Sequence, residues 1–257
     1  MCELVMNGDL VKQSDLLMLQ RDFSDIGSQT DWKLQSFHEI SSRLSDSKFP
    51  CLFGRHAWKH NSLLFTFISE TDRTNNMLNS LIQFINRTQT LPIEQRLYSP
   101  LLMVFEQEGF VDLKEAQEFS WKCLQEIHDG DHENWPDSIP ISPEDRSWSF
   151  CFGGVELFIN ISCPGHQKIR SRNLGNRVVF VINPRQHFDV LASSKDIKGI
   201  KVREKIRDRV SNYNQGHVSK ELGFYGDDNN LEWKQYQLNE EGSLNLHKCP
   251  LKISKER

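Results

Sequence analysis

Residues 148–161 read WSFCFGGVELFINI, which is the pattern of a β-hairpin. Two runs rich in aromatic and β-branched residues, Trp148–Phe152 and Val155–Ile161, flank Gly153-Gly154, a two-residue turn signal. We therefore expect two antiparallel strands joined by a tight turn. A third run of the same character, Val178–Ile182, predicts another strand.

Helical periodicity precedes this hairpin. Apolar residues recur every three or four positions between 71 and 86 and again between 113 and 128, which predicts two amphipathic helices. The second helix opens with the capping-box spacing of Asp112 and Glu115, and Gly130 is a plausible stop. Its inner stripe consists of Leu113, Ala116, Ser120, Cys123 or Leu124, and Ile127.

The remaining elements complete an α+β pattern. Leu101–Phe105 is a short apolar run that suits a buried strand, and 197–210 reads as a charged helix with an inner face of Val202, Ile206 and Val210. Helices, then strands, then another helix predict an antiparallel or mixed sheet flanked by helices, in a single compact domain. We interpret residues 1–32 as a polar arm and 33–257 as the domain itself.

Composition excludes several classes of protein. The 257 residues carry a net charge of -4, which argues against nucleic acid as a partner. No stretch approaches the roughly 18 apolar residues of a membrane span, and the first residues lack a signal-peptide pattern, so we expect a cytoplasmic protein with no membrane partner. The six cysteines include no C-x-x-C pair, so neither disulfides nor a zinc ribbon are expected.

The loop after the second strand concentrates reactive side chains. Lys168, Arg170 and Arg172 place three cations within five residues, and Arg185 follows the next strand. In an extended chain the three would share one face, which suits phosphates or carboxylates. The competing interpretation is a solvated basic loop. Cys163 and His166, soft and nitrogenous metal or haem ligands, favour the functional one.

His128 lies at the end of the second predicted helix, beside Trp121 and Leu124. A histidine there is ordinarily structural, because its cation complements the helix dipole. The functional alternative is that a neutral imidazole, with Asp129 or Asp131 to fix its tautomer, is a sound axial ligand for haem iron. A Cys–His hydrolase built on Cys51 or Cys163 is a further alternative, although the familiar catalytic motifs are absent.

Several motifs together resemble the YqcI/YcgG family, in colinear order over roughly residues 45–250. They are Phe49-Pro50-Cys51, Ile127-His128-x-x-Asp131, Trp135-Pro136, Trp148-x-Phe150-x-Phe152-Gly153-Gly154, Cys163-Pro164-x-His166, Arg170-Ser171-Arg172-Asn173-Leu174-Gly175, Pro184-Arg185, Leu222-Gly223-x-Tyr225-Gly226-Asp227 and Glu232-Trp233-Lys234-Gln235-Tyr236. The resemblance implies a haem-dependent N-oxygenase, like the enzymes that hydroxylate arginine or pre-guanitoxin at a guanidine nitrogen. It implies b-type haem and insertion of one oxygen atom from dioxygen or peroxide into an N–H bond.

The resemblance also implies roles for individual residues. His128 is the expected proximal ligand of the iron. Guanitoxin-type relatives carry His-Pro where this chain has Cys163-Pro164, which leaves Cys163 and His166 open as alternative ligands. The remaining expectations are that Arg170, Arg172 and Arg185 pair with the haem propionates and that Asp227 or Glu232 binds a substrate guanidinium.

Other interpretations of the same motifs stay open. One alternative is a haem-binding or sensing protein without turnover, and another is a globular protein whose motifs are structural. For Phe49-Pro50-Cys51 we expect a buried structural role rather than a redox or ligand role, because cysteine is among the most buried residue types.

Overall fold

A six-stranded mixed sheet organises the protein in the computed structural model, which describes residues 6–22, 31–223, 225–227 and 230–255. The strands follow the order β1-β2-β3-β6-β5-β4. The pair β2–β3 is parallel and every other neighbouring pair is antiparallel. The strands are β1 (Val11–Lys12), β2 (Leu64–Ile68), β3 (Leu101–Phe105), β4 (Phe150–Phe152), β5 (Val155–Ser162) and β6 (Val179–Pro184).

Helices cover both faces of the sheet, so the predicted α+β class is confirmed. Helices α4 and α5 pack on one face, against side chains such as Met103, Ile159 and Phe180. Helices α1, α2 and α3 pack on the other face, against side chains such as Phe65 and Leu102. The helices are α1 (Gln13–Asp22), α2 (Trp32–Ser45), α3 (Leu52–Lys59), α4 (Arg73–Thr90), α5 (Leu113–Asp129), α6 (Gln186–Leu191), α7 (Ile197–Tyr213) and α8 (Glu232–Tyr236).

The predicted hairpin joins β4 to β5. Gly153 and Gly154 have φ angles of +56° and +71°, which side chains with a Cβ adopt only at a cost. Positive φ at both central residues is the requirement of the turn whose twist matches the two strands, which explains the Gly-Gly pair. The strand order then places β5 between β4 and β6, with its odd-numbered residues in the core.

Helix α5 follows its sequence pattern closely. The predicted stripe from Leu113 to Ile127 is buried throughout. Asp112 Oδ1 accepts a hydrogen bond from the Glu115 amide at 2.8 Å, and Glu115 Oε2 accepts one from the Val111 amide at 2.6 Å. The capping signal is therefore confirmed, and it sets the start of the helix that ends at His128 and Asp129.

Helix α7 differs from its prediction in how it packs. Val202 and Ile206 are only half-buried, and burial is substantial nearer the helix end, at Val210 and Tyr213. The physical reason is that α7 covers a cavity above the sheet instead of packing directly on it, since Ile206 and Val210 line that cavity.

The predicted arm, residues 1–32, includes elements that join the sheet. Val11 pairs with Phe65, which makes β1 an edge strand, and Leu16 of α1 is fully buried. Residues 1–5 and 23–30 of the arm lie outside the described residues. None of the helices in the described ranges is both long and apolar enough to span a bilayer.

Candidate functional site

A cavity of about 260 Å³ lies between the sheet and α7. Its floor is formed by side chains of three adjacent strands, among them Leu102, Asn160 and Val181. Its walls come from the start of α3, from α7 and from residues 222–223. The lining is mainly apolar, and the volume is just below the range of about 300–1,000 Å³ typical of sites for small molecules.

Cys51 brings a thiol to this cavity from the N-cap position just before α3. Its side chain caps the helix, because Sγ accepts a hydrogen bond from the Gly54 amide at 3.2 Å. Burial raises the pKa of the Cys51 thiol, while the amides of Gly54 and Phe53 and the charge of Arg172 act to lower it. Burial is therefore the main obstacle to forming the thiolate. If a bound ligand offsets the burial, the amides at the start of the helix stabilise the thiolate charge.

Arg172 brings a buried positive charge to the same cavity. It ends a short 3₁₀ turn, Arg170–Arg172, and its side chain donates to two carbonyls, those of Tyr236 at 2.9 Å and Gln235 at 2.8 Å. No carboxylate pairs with it within the described residues, and burial lowers its pKa to about 10. A buried guanidinium without an anion is costly, so the cavity favours a ligand with a negative group.

Two further arginines reach the cavity from α7. Arg203 Nε donates to the Ala192 carbonyl at 2.7 Å, and Arg207 donates to the Leu222 carbonyl at 3.0 Å. Both side chains are half-buried and line the cavity. With Arg172 they make one side of an otherwise apolar space cationic.

A small chamber of about 60 Å³ adjoins the cavity, with Phe158, Phe188 and Arg203 lining both. Glu232 at the start of α8 also lines the chamber and is only 2% exposed. Its Oε1 accepts hydrogen bonds from Ser149 Oγ and Tyr236 OH, each at 2.7 Å. Burial raises the pKa of Glu232 to about 7 in spite of these two donors.

Arg185 also lines the chamber but has its own partners. It pairs with Glu156 at 2.8 Å and with Asp189 at 3.0 Å, and its guanidinium lies 3.6 Å from the ring centre of Tyr225. Asp227, the other predicted substrate carboxylate, is exposed.

His128 lies away from this cavity, on the α5 side of the sheet. It is fully buried, its Nε2 accepts a hydrogen bond from the Ser254 amide at 3.0 Å, and its ring meets Trp135 edge to face at 5.7 Å. The C-terminal segment therefore covers the imidazole that the sequence predicts as an iron ligand. That role stays a prediction.

Cys163 and His166 are also buried outside the cavity. Cys163 packs near Ser120 Oγ at 3.8 Å, and burial raises its pKa to about 12. His166 Nδ1 lies 2.9 Å from Glu240 Oε2. Burial lowers the pKa of His166 more than Glu240 raises it, so this contact is a hydrogen bond from a neutral imidazole to a carboxylate. Among the described residues, no three His, Cys, Asp or Glu side chains group as they would around a metal ion.

The basic cluster diverges because the chain forms a 3₁₀ turn there instead of an extended strand. Lys168 pairs with Glu241 at the surface, Arg170 lies over the ring of Tyr213 at 5.1 Å, and Arg172 alone enters the cavity. The expected shared face of three cations does not form.

Sequence reasoning did not assign a ligand role to Cys51, Arg203 or Arg207. For Cys51 a signal existed, since Phe49-Pro50-Cys51 is one of the motifs that carry the family resemblance. For the two arginines none existed, because α7 carries many surface charges and nothing in its sequence marks the pair that faces inward.

The fold and cavity define an α+β protein with a thiol and a cationic wall around an apolar pocket. The chain belongs to the YqcI/YcgG family, whose model matches residues 40–252, which confirms the resemblance. A Streptomyces lavendulae protein named "Putative N(omega)-hydroxy-L-arginine synthase DcsA" is 36% identical over 223 residues, covering 85% of this chain and 83% of that protein.

Two proteins of Bacillus subtilis (strain 168) are also similar. "Uncharacterized protein YqcI" is 30% identical over 225 residues, covering 85% of this chain and 87% of the relative. "Uncharacterized protein YcgG" is 30% identical over 231 residues, covering 88% and 90%. No solved structure matches the chain.

Proposed function

We propose that this chain hydroxylates a guanidine nitrogen of a small amino-acid-like substrate, using a b-type haem held in the cavity between the sheet and α7. The name of the Streptomyces relative supports the reaction. The observation that carries the proposal is that one cavity is lined by a thiol, Cys51, and by the buried guanidinium of Arg172, which has no carboxylate partner within the described residues.

The residues of the cavity fit a haem in their chemistry. Apolar walls suit the macrocycle, and a cysteine thiolate is an established axial ligand for haem iron. Coordination deprotonates a thiol, which offsets the burial that raises the pKa of Cys51 in the free chain. Arg172, Arg203 and Arg207 supply cations for the two propionates. When bound, the haem would supply the activation of dioxygen or peroxide, while the protein binds and orients the substrate.

The cavity thus favours Cys51 as the ligand of the haem iron, whereas the sequence motifs favour His128, Cys163 or His166. Two variants separate the Cys51 assignment from the His128 assignment. Each of Cys51→Ala and His128→Ala is expressed in haem-replete cells, and its Soret absorbance is compared with that of wild type. We expect Cys51→Ala to lose or shift the band and His128→Ala to keep it. The reverse result would transfer the ligand role to His128.

The chamber beside the cavity accounts for recognition of a guanidinium. Tyr236 and Ser149 hold Glu232 through Oε1, and no described residue donates a hydrogen bond to Oε2. A guanidinium presents parallel N–H donors that match a carboxylate. Because the chamber shares its walls with the cavity, a substrate whose guanidinium pairs with Glu232 would lie beside the haem.

A binding experiment distinguishes the two predicted carboxylates. We expect Glu232→Gln to weaken arginine binding about 30-fold or more, since losing one partner of a buried charge pair costs at least about 2 kcal/mol. Asp227→Asn is the matched control and should bind arginine like wild type, because Asp227 is exposed. Titration calorimetry at a pH above 7 measures both. Equal losses in the two variants would exclude the chamber as the guanidinium site.

Turnover is tested with the haem-loaded chain, arginine, and either peroxide or dioxygen with a reductant. Formation of N-hydroxyarginine, detected by mass spectrometry, is the expected result. A chain that binds haem but forms no hydroxylated product from arginine or other guanidines would instead act in haem binding or sensing.

A further inference from the structure

Three aromatic rings form a continuous row that begins beside Glu232 and Phe158, two residues of the chamber wall, and leads toward the surface. Tyr236, Trp148 and Trp135 follow one another with ring centres 6.1 Å and 6.2 Å apart, and the two indoles are stacked at 18°. The Tyr236 ring also meets Phe158, which lines both chamber and cavity, at 5.6 Å. At the outer end Trp135 is 3% exposed, but the residues around it in the chain, 132–134 and 137–138, are exposed.

The inner end of this row has a built-in proton acceptor. Tyr236 is completely buried, and its hydroxyl lies 2.7 Å from Glu232 Oε1. Burial and the neighbouring carboxylate raise the pKa of Tyr236 well above its ordinary value, so the phenol keeps its proton in the resting protein. A phenol becomes strongly acidic when it loses an electron, and Glu232 is placed to take the proton that is then released.

The middle of the row lacks the hydrogen bond that a buried indole normally makes. Trp148 is fully buried, and within the described residues its Nε1 has no acceptor. Leaving such a group unpaired costs about 1–3 kcal/mol, and an exception of this kind calls for an explanation. An indole with no proton acceptor retains its N–H when it is oxidised. It stays a radical cation that accepts an electron from its neighbour instead of being trapped as a neutral radical.

We propose that Tyr236, Trp148 and Trp135 form an electron-transfer route between the chamber and the protein surface. The route rests on the proposed function for its oxidant: bound haem with peroxide or dioxygen would supply the oxidant that accepts one electron from Tyr236. The phenolic proton moves to Glu232 at that step. Trp148 then reduces the tyrosyl radical while the proton returns, Trp135 reduces Trp148, and an external thiol or ascorbate reduces Trp135. One electron passes from the reductant to the oxidant, the phenolic proton returns to Tyr236, and the oxidised thiol or ascorbate releases its own proton to solvent.

Such a route would protect the site when an oxidant forms in the absence of substrate. The oxidant would be reduced by an electron from an external thiol or ascorbate, and it would not oxidise the side chains of the chamber wall.

The route can be tested from the outside without haem chemistry. The purified chain is irradiated with ruthenium tris-bipyridine and a sacrificial electron acceptor, which generates a ruthenium(III) oxidant in solution. Because Tyr236 is fully buried, this oxidant reaches it only through other residues. Rapid freezing and electron paramagnetic resonance then record a tyrosyl radical. We expect a tyrosyl signal in wild type, of which Tyr236→Phe removes one component; the component that remains comes from the other tyrosines, Tyr98, Tyr213 and Tyr225.

Replacing a tryptophan of the row tests whether electrons pass along it. Trp148→Phe keeps an aromatic ring in place but removes the oxidisable indole, and it should abolish the Tyr236 signal. Trp135→Phe makes the same cut at the outer end, should Trp148→Phe fail to fold. Trp58→Phe, at a half-buried indole outside the row, is the matched control and should leave the signal unchanged.

A wild type with no Tyr236-dependent radical, or a signal that survives both cuts, would overturn the route. Neither result would change the outcome of the Soret and product experiments. Failure of the electron-transfer route can therefore be distinguished from failure of the proposed function.

Discussion

Glu240 is the anchor of the loop formed by residues 163–173, and removing its charge gives a prediction that the structure quantifies. Its carboxylate accepts four hydrogen bonds, from the amides of Gln167 at 3.0 Å, Lys168 at 3.1 Å and Ile169 at 2.7 Å, and from His166 Nδ1 at 2.9 Å. Each carboxylate oxygen accepts two of them. In Glu240→Gln one oxygen becomes an NH₂ group that confronts two donors.

The loss of stability in Glu240→Gln can be estimated in two independent ways. Burial acts to raise the pKa of Glu240, but the four donors together outweigh it and lower the pKa to about 2 from its usual 4.5, a net shift that corresponds to roughly 3 kcal/mol at about 1.4 kcal/mol per unit. Independently, each lost hydrogen bond to a charged acceptor is worth about 1.5–3 kcal/mol, and two are lost. We therefore expect Glu240→Gln to reduce the free energy of unfolding at neutral pH by about 3 kcal/mol, a fall in Tm of about 6–12 °C.

The pH dependence provides a sharper test than the size. Because folding lowers the pKa of Glu240, its stabilisation is complete above about pH 4.5 and is lost as the pH falls toward 2. The difference between wild type and Glu240→Gln should therefore be constant near neutrality and shrink steadily in acid. Urea unfolding followed by tryptophan fluorescence, at several pH values, measures it.

A neighbouring glutamate serves as the control. Glu241 pairs with Lys168, but its side chain is 85% exposed, so Glu241→Gln should change stability little at any pH. A Glu240→Gln difference that is absent at neutral pH, or that keeps one size into strong acid, would refute the reasoning about the loop anchor.

Three further predictions concern the chamber, α7 and the core. Arginine binding should weaken about tenfold per pH unit below about pH 7, because protonation of Glu232, whose pKa is raised to about 7, removes the anion; calorimetry across this range checks it. Gly199→Ala should destabilise the fold by about 1–3 kcal/mol, because its methyl would overlap the Ser193 carbonyl oxygen, and this outweighs the roughly 1 kcal/mol of helix propensity that Ala adds. Ile159→Ala should cost about 2–5 kcal/mol in chemical denaturation, since the side chain is 1% exposed, whereas Val190→Ala, at an exposed valine, should stay within about 0.5 kcal/mol.

Local patterns in the sequence predicted much of the fold. The Gly153-Gly154 turn, the strands beside it and the buried stripe of α5 each depend on contacts within a few residues, so periodicity and turn chemistry suffice to identify them. The family followed from motifs spread along the chain, and the match over residues 40–252 confirms it.

The position of individual side chains was harder to predict, as His128 shows. Its place at the helix end beside apolar surface agrees with the structure. What covers it is the amide of Ser254, 126 residues away, and no local pattern indicates a contact at that separation.

The sequence by itself therefore determined four of the six strands in the described part of the chain, the helices α4, α5 and α7, the α+β class and the family. Only the tertiary structure decided which side chains meet. Cys51, Arg172 and Arg203 belong to three separate segments and share one cavity because β3, β6 and β5 lie side by side under α3 and α7. In contrast, Lys168, Arg170 and Arg172 are close in sequence but separate, because a 3₁₀ turn sends their side chains in different directions. Proximity along the chain controls local geometry, whereas a binding site depends on strand order and on how helices pack over the sheet.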